Sequence, residues 1–109
     1  MVSATTSSKV GKLPYQVEID ITDEDIQKGN RNDTHNPVSR AFKRALIQEG
    51  YKVTSVEACS EGICVYLKDG TVCDYFVGQS KSFLETFVNE GRKAIRPEIF
   101  TLRRNGVAY

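Results

Sequence analysis

The 109-residue sequence has no tryptophan, one methionine, one histidine and three prolines. A lone histidine, His35, leaves little room for imidazole-based catalysis. It is also a poor start for a zinc site, which takes about four N or S ligands. No apolar run approaches the roughly 18 residues that a membrane-spanning helix needs. Neither sign of charge dominates: 15 Lys and Arg stand against 14 Asp and Glu, a formal net charge of +1. Nucleic-acid or membrane binding by bulk electrostatics would show as a large basic excess. Glycines 29, 50, 62, 70 and 78 punctuate the chain singly, so no phosphate-cradling loop is present.

Cysteine is scarce and odd in number. Cys59, Cys64 and Cys73 cannot all pair within one chain, and Cys59 and Cys64 are not a C-x-x-C pair. They read as reduced, partly buried small hydrophobes. The opening Met1 to Lys9 has no apolar h-region, so it is not a secretory signal, and no arginine precedes Arg31 as a transit peptide would require. These absences point to the cytoplasm.

What is present is a modest core, with 39% hydrophobic residues in a length that suits one domain. Residues 1–13 read as a flexible Ser/Thr-rich tail and 14–109 as a single α+β domain. Tyr15, Val17, Ile19 and Ile21 alternate with Gln16, Glu18 and Asp20, the period of a half-buried antiparallel strand. Thr22 with Asp25 makes a capping box for a helix of about two turns that Gly29 stops. Residues 30–36 are turn chemistry throughout. Asn36 then caps, and Pro37 opens, a helix over 37–49, with Val38, Ala41, Phe42, Ala45 and Leu46 as its apolar stripe.

Tyr51 to Ala58 reads as a strand. Gly62 to Val77 reads as a hairpin with Asp69-Gly70 in a two-residue turn, which pairs Leu67 with Val72 and Cys64 with Tyr75. That register puts Ile63, Val65, Leu67, Val72 and Phe76 on one face and Cys64, Tyr66, Cys73 and Tyr75 on the other. Ser82-x-x-Glu85 is a capping box before a further helix that Gly91 stops. Glu98 to Arg104 suits a closing edge strand. The expected fold is α+β, a mostly antiparallel sheet of four to five strands with two main helices, in the order β-α-α-β-β-β-α-β.

The run Ile21-Thr22-Asp23-Glu24-Asp25-Ile26-x-Lys28-Gly29-x-Arg31, with Pro37-Val38-x-x-Ala41-Phe42-Lys43-Arg44-Ala45, resembles small uncharacterised proteins of tailed phages. These open on I-T-x-E-D-I-x-x-G-x-R and continue with a Pro-initiated A-x-x-R-A helix. The resemblance covers Ile19 to Leu46, and the C-terminal strand only loosely. The family's cysteine before the proline is Asn36 here, so a role for that thiol does not carry over. The resemblance implies a phage-encoded accessory protein made in the cytoplasm of a bacterial host, with no activity to transfer.

Catalytic chemistry finds no foothold, because no base stands beside an activated Ser or Cys. Asp23, Glu24 and Asp25 are explained by the helix N-terminus they occupy. No cofactor or metal is expected, and the protein is read as a non-enzyme. Two surfaces remain. Cys64, Tyr66, Cys73 and Tyr75 form an amphipathic sheet face suited to a protein partner or a second copy, unless a helix covers it. Arg40, Lys43 and Arg44, three and four residues apart and joined by Arg31, form a basic patch that suits a nucleic acid or anion. The favoured expectation is a small accessory protein that binds a host or phage protein, with inhibition of a host protein as its use. Nucleic-acid binding through the basic face of the helix at 37–49 is the alternative.

Overall fold

The computed structural model describes residues 13–105. Its strands are β1 (Gln16–Ile21), β2 (Val53–Cys59), β3 (Gly62–Leu67), β4 (Val72–Tyr75) and β5 (Glu98–Arg103). Its α-helices are α1 (Asp23–Lys28), α2 (Pro37–Gln48) and α3 (Ser80–Glu90), with a 3-10 turn at Arg92–Ala94. The class and element order are those expected. All pairings are antiparallel, but the strands divide into two sheets, β1-β5 and β2-β3-β4. The sheets meet at one bridge, Tyr75 to Arg104. There the Phe76 N–H donates to the Arg103 carbonyl at 2.9 Å and the Asn105 N–H to the Asp74 carbonyl at 2.8 Å. The tail expected over 1–13 lies outside the described residues except for Leu13, which is buried.

Local sequence accounts for most of the boundaries. Along β1 the buried Val17 and Ile19 pair with Leu102 and Phe100 of β5. Thr22 Oγ1 accepts from the Asp25 N–H while the Thr22 N–H donates to Asp25 Oδ2, so the capping box is complete. Gly29 follows α1 with an extended backbone. A Cβ there would sit 2.6 Å from the Asp25 carbonyl oxygen and 2.9 Å from Pro37 Cδ. Only glycine lets α2 begin so close to the end of α1.

Asn36 does more than start α2. Its Oδ1 accepts from the Ser39 N–H at 2.8 Å, and its Nδ2 donates to the Ala58 carbonyl of β2, also at 2.8 Å. The Ala58 N–H donates in turn to the Asp33 carbonyl. The polar turn before α2 therefore satisfies backbone groups along the free edge of β2, which would otherwise template aggregation.

Two expectations need correction. Helix α3 begins at Ser80, two residues before the expected cap at Ser82, and has no side-chain cap bond. Ser80 is buried and its hydroxyl donates to the Val77 carbonyl at 2.6 Å, so the chain already turns there. The hairpin register is the second correction. Ile63 pairs with Tyr75, Cys64 with Asp74, Val65 with Cys73 and Tyr66 with Val72. The loop is Lys68-Asp69-Gly70, closed by the Leu67 N–H to the Thr71 carbonyl, with Gly70 at φ +93°. A three-residue loop with glycine in the left-handed region replaces the two-residue turn. This one-residue slip turns every side chain of β4 over.

The core lies on one side of both sheets. Helix α2 packs on β1 and β2 and buries Val38, Ala41, Phe42 and Leu46. The Phe42 ring meets Tyr75 edge to face with centroids 4.9 Å apart. Phe83 of α3 meets Phe100 of β5 in the same way, at 5.9 Å. Both main helices use their apolar stripes on this inner side. We expect Asn36→Ala to destabilise the fold by about 2 kcal/mol, a lost cap plus an unsatisfied Ala58 carbonyl. Urea denaturation checks it; an unchanged midpoint would remove Asn36 from this role.

Candidate functional site

The basic patch expected on α2 is largely occupied within the molecule. Arg44 lays its guanidinium on the carboxylate of Asp25, with Nη1 to Oδ1 at 2.8 Å and Nη2 to Oδ2 at 2.6 Å. The same Nη2 donates to the Asp20 carbonyl at 2.8 Å. Arg40 adds its Nε at 3.3 Å from Asp25 Oδ1. Asp25 is wholly buried. Burial pushes its carboxyl up, but Arg44 and the Thr22 N–H outweigh that and hold it below the usual aspartate value. Lys43 reaches the Thr54 carbonyl at 3.4 Å. Arg31 is exposed in the turn before α2. The four residues thus do not form one free cationic surface: Arg40 and Arg44 tie α2 to α1 and β1.

Arg92, just after the last helix, donates to the carbonyls of Ile26, Gln27 and Gly29. It closes the C-terminal end of α1, whose last carbonyls have no partner within the helix. Arg104 donates from Nη1 to the Leu13 carbonyl at 2.7 Å. Sequence spacing identifies none of these long-range partners.

The sheet face expected to carry Cys64, Tyr66, Cys73 and Tyr75 is divided by the register. Tyr75 is 1% exposed, and its hydroxyl donates to the Pro14 carbonyl. Cys73 packs against the core beside it. Cys64 and Tyr66 alternate with the buried Ile63, Val65 and Leu67 and so point to the outer side. There they join Glu57 of β2, Val72 and Asp74 of β4, and Phe76 just beyond β4. Val72 is 57% and Phe76 53% exposed, although both were expected on the core face. The Tyr66 hydroxyl donates to Glu57 Oε1 at 3.1 Å. Cys64 and Glu57 beside it push that hydroxyl above the ordinary tyrosine value. A shallow depression of about 330 Å³ opens on this face, lined by Cys59, Cys64, Phe76 and the carboxylates of Glu57, Glu61 and Asp74.

The thiols are not set up for nucleophilic chemistry. Burial pushes both Cys64 and Cys73 above the ordinary thiol value, which keeps them protonated near neutrality. His35 Nδ1 lies 2.8 Å from the Thr34 hydroxyl in an exposed turn. Among the described residues, no three of His, Cys, Asp and Glu come together to hold a metal ion. Nor is any described helix long and apolar enough to cross a membrane. The chain matches no protein-family model, no curated protein and no solved structure.

The Asp25 arrangement predicts an order of effects. Arg44→Ala leaves a buried carboxylate with only Arg40 beside it and costs about 3 kcal/mol. Asp25→Asn leaves a half-exposed guanidinium and costs less, about 2 kcal/mol. Denaturant melts of the two variants test this order. The lowered Asp25 value also sets a pH dependence. Its stabilisation is complete above the unfolded aspartate value near 3.8 and is lost as pH falls through the lower folded value. Asp25→Asn is therefore expected to flatten the acid limb of the stability profile. Parallel acid limbs in wild type and variant would contradict that assignment.

Proposed function

We propose that this chain is a small non-enzymatic binding protein that docks a protein partner on the outer face of β2-β3-β4. The observation that carries this reading is the exposure of Val72 and Phe76 beside Tyr66 and Cys64 on a sheet face that no described helix covers. Clustered apolar and aromatic groups at a surface cost free energy in water and gain it when a partner excludes that water. Tyrosine suits such a face because it offers a large apolar ring and a polar tip. A phage-type accessory role, with a host protein as the partner, is the form of this reading that the resemblance implies. Nucleic acid on the helix at 37–49 has less support, because Arg40 and Arg44 already satisfy Asp25.

The test is the double variant Tyr66→Ser with Phe76→Ser, compared with Lys43→Ala. Phe76 is exposed and Tyr66 half-buried on the outer side, so the double variant is expected to fold, with a stability change of about 1 kcal/mol or less per site. Affinity capture from bacterial lysate with tagged wild type is expected to retain a partner that the double variant loses and Lys43→Ala keeps. The same capture from both proteins would overturn the reading, and loss only in Lys43→Ala would shift it to the basic helix.

A further inference from the structure

We infer that the partner presents a cationic segment, lysine or arginine side chains interleaved with apolar ones, to the outer face of β2-β3-β4. The inference rests on the reading of this face as the docking surface and specifies the chemistry of what docks.

Charge is the first argument. The depression on this face is lined by the carboxylates of Asp33, Glu57, Glu61 and Asp74, and by no lysine or arginine. All four residues are exposed. Among the described residues, ion pairs form only at Glu24 and Asp25, so none of these four carboxylates is paired. Two arginines come close at the bridge between the sheets but do not line the depression: Arg103, whose carbonyl accepts from the Phe76 N–H, and Arg104, which bridges Tyr75 and donates from Nη1 to the Leu13 carbonyl. Several unpaired charges of one sign around a concave, partly apolar floor focus a negative potential outward. They repel a nucleic acid and steer a cationic partner.

Geometry narrows the class of ligand. Glu57 and Asp74 pair with Cys64 from opposite sides. Neighbouring strands lie about 4.8 Å apart, so their Cα atoms are about 10 Å apart. That spacing holds the two carboxylates apart on either side of Cys64, and among the described residues no three of His, Cys, Asp and Glu come together. The spacing suits two separate cationic side chains. Phe76 and Val72, exposed at the two ends of β4, would stay in water under a simple polyamine. Apolar side chains between the cations cover them. A protein segment supplies both.

The experiment is an NMR titration of the isotopically labelled full chain with two synthetic nonapeptides. One alternates Lys with Val; the other has Glu in place of every Lys. The Lys peptide is expected to shift amides within 57–64 and 72–76 saturably, and the Glu peptide to shift none of them. Glu57→Gln with Asp74→Asn, both exposed changes, is expected to weaken the Lys peptide at least tenfold. A third peptide, with Ser in place of Val, is expected to bind more weakly than the first. Shifts scattered over the acidic residues of β1 and α1, or equal binding by the double variant, would overturn the inference. If the Lys peptide fails while Tyr66→Ser with Phe76→Ser still loses a captured partner, the docking face stands and its cationic occupant falls. If both fail, both readings fall together.

Discussion

The buried carboxylate of Asp25 holds together parts of the chain that local sequence would leave loose. Its Oδ2 accepts from the Thr22 N–H, and both of its oxygens accept from Arg44. Arg44 also reaches the Asp20 carbonyl, so one guanidinium joins β1, α1 and α2. A helix of six residues is too short to persist in water, because nucleation is costly and few bonds repay it. Helix α1 holds because Asp25 fixes its first turn and Arg92 takes the carbonyls at its end. With α1 fixed, the turn after it is held in place, and Asn36 can meet the free edge of β2. An ionised carboxylate out of water is unfavourable alone. Here it is satisfied by a bidentate guanidinium and by backbone, and so it acts as a junction.

Elements with a local cause were legible in the sequence. Alternation in β1, the Thr22 capping box, Asn36-Pro37 before α2 and Gly91 after α3 each act within a few residues, and each is seen. The hairpin register was not legible. Asp69-Gly70 fits a two-residue turn, and Lys68-Asp69-Gly70 fits a three-residue loop, because both need the glycine where φ is positive. Tertiary packing separates them. Only the longer loop turns Tyr75 inward, where its ring meets Phe42 and its hydroxyl reaches Pro14. That contact lies more than thirty residues away along the chain in one case and about sixty in the other.

The same distinction explains the surfaces. Helical spacing correctly makes Arg40, Lys43 and Arg44 neighbours, but it is silent about an acid fifteen to nineteen residues upstream. A charge on a helix face is free or occupied according to what packs beside it. Of the four sheet residues expected to face a partner, Cys64 and Tyr66 point outward, while Cys73 and Tyr75 belong to the core. Val72 and Phe76 take the places lost, by the same one-residue slip. Glu57 and Asp74 become visible as a pair only when β2 and β4 are placed on either side of β3.

The outer face stays open because the chain has two substantial amphipathic helices and places both on the inner side. An uncovered sheet with exposed Val72 and Phe76 invites association with copies of itself, the hazard such surfaces meet with charge. Glu57 and Asp74 lie in its middle row, on either side of Cys64. Two copies brought face to face would set these carboxylates against one another, and like charges brought together destabilise the pair. The arrangement therefore discriminates. Self-association gains apolar burial but meets repulsion, whereas a cationic partner gains the same burial and neutralises the charge. On the proposed docking reading, carboxylates that oppose self-association would also select what covers the face, favouring a partner of different sequence over a second copy of this chain.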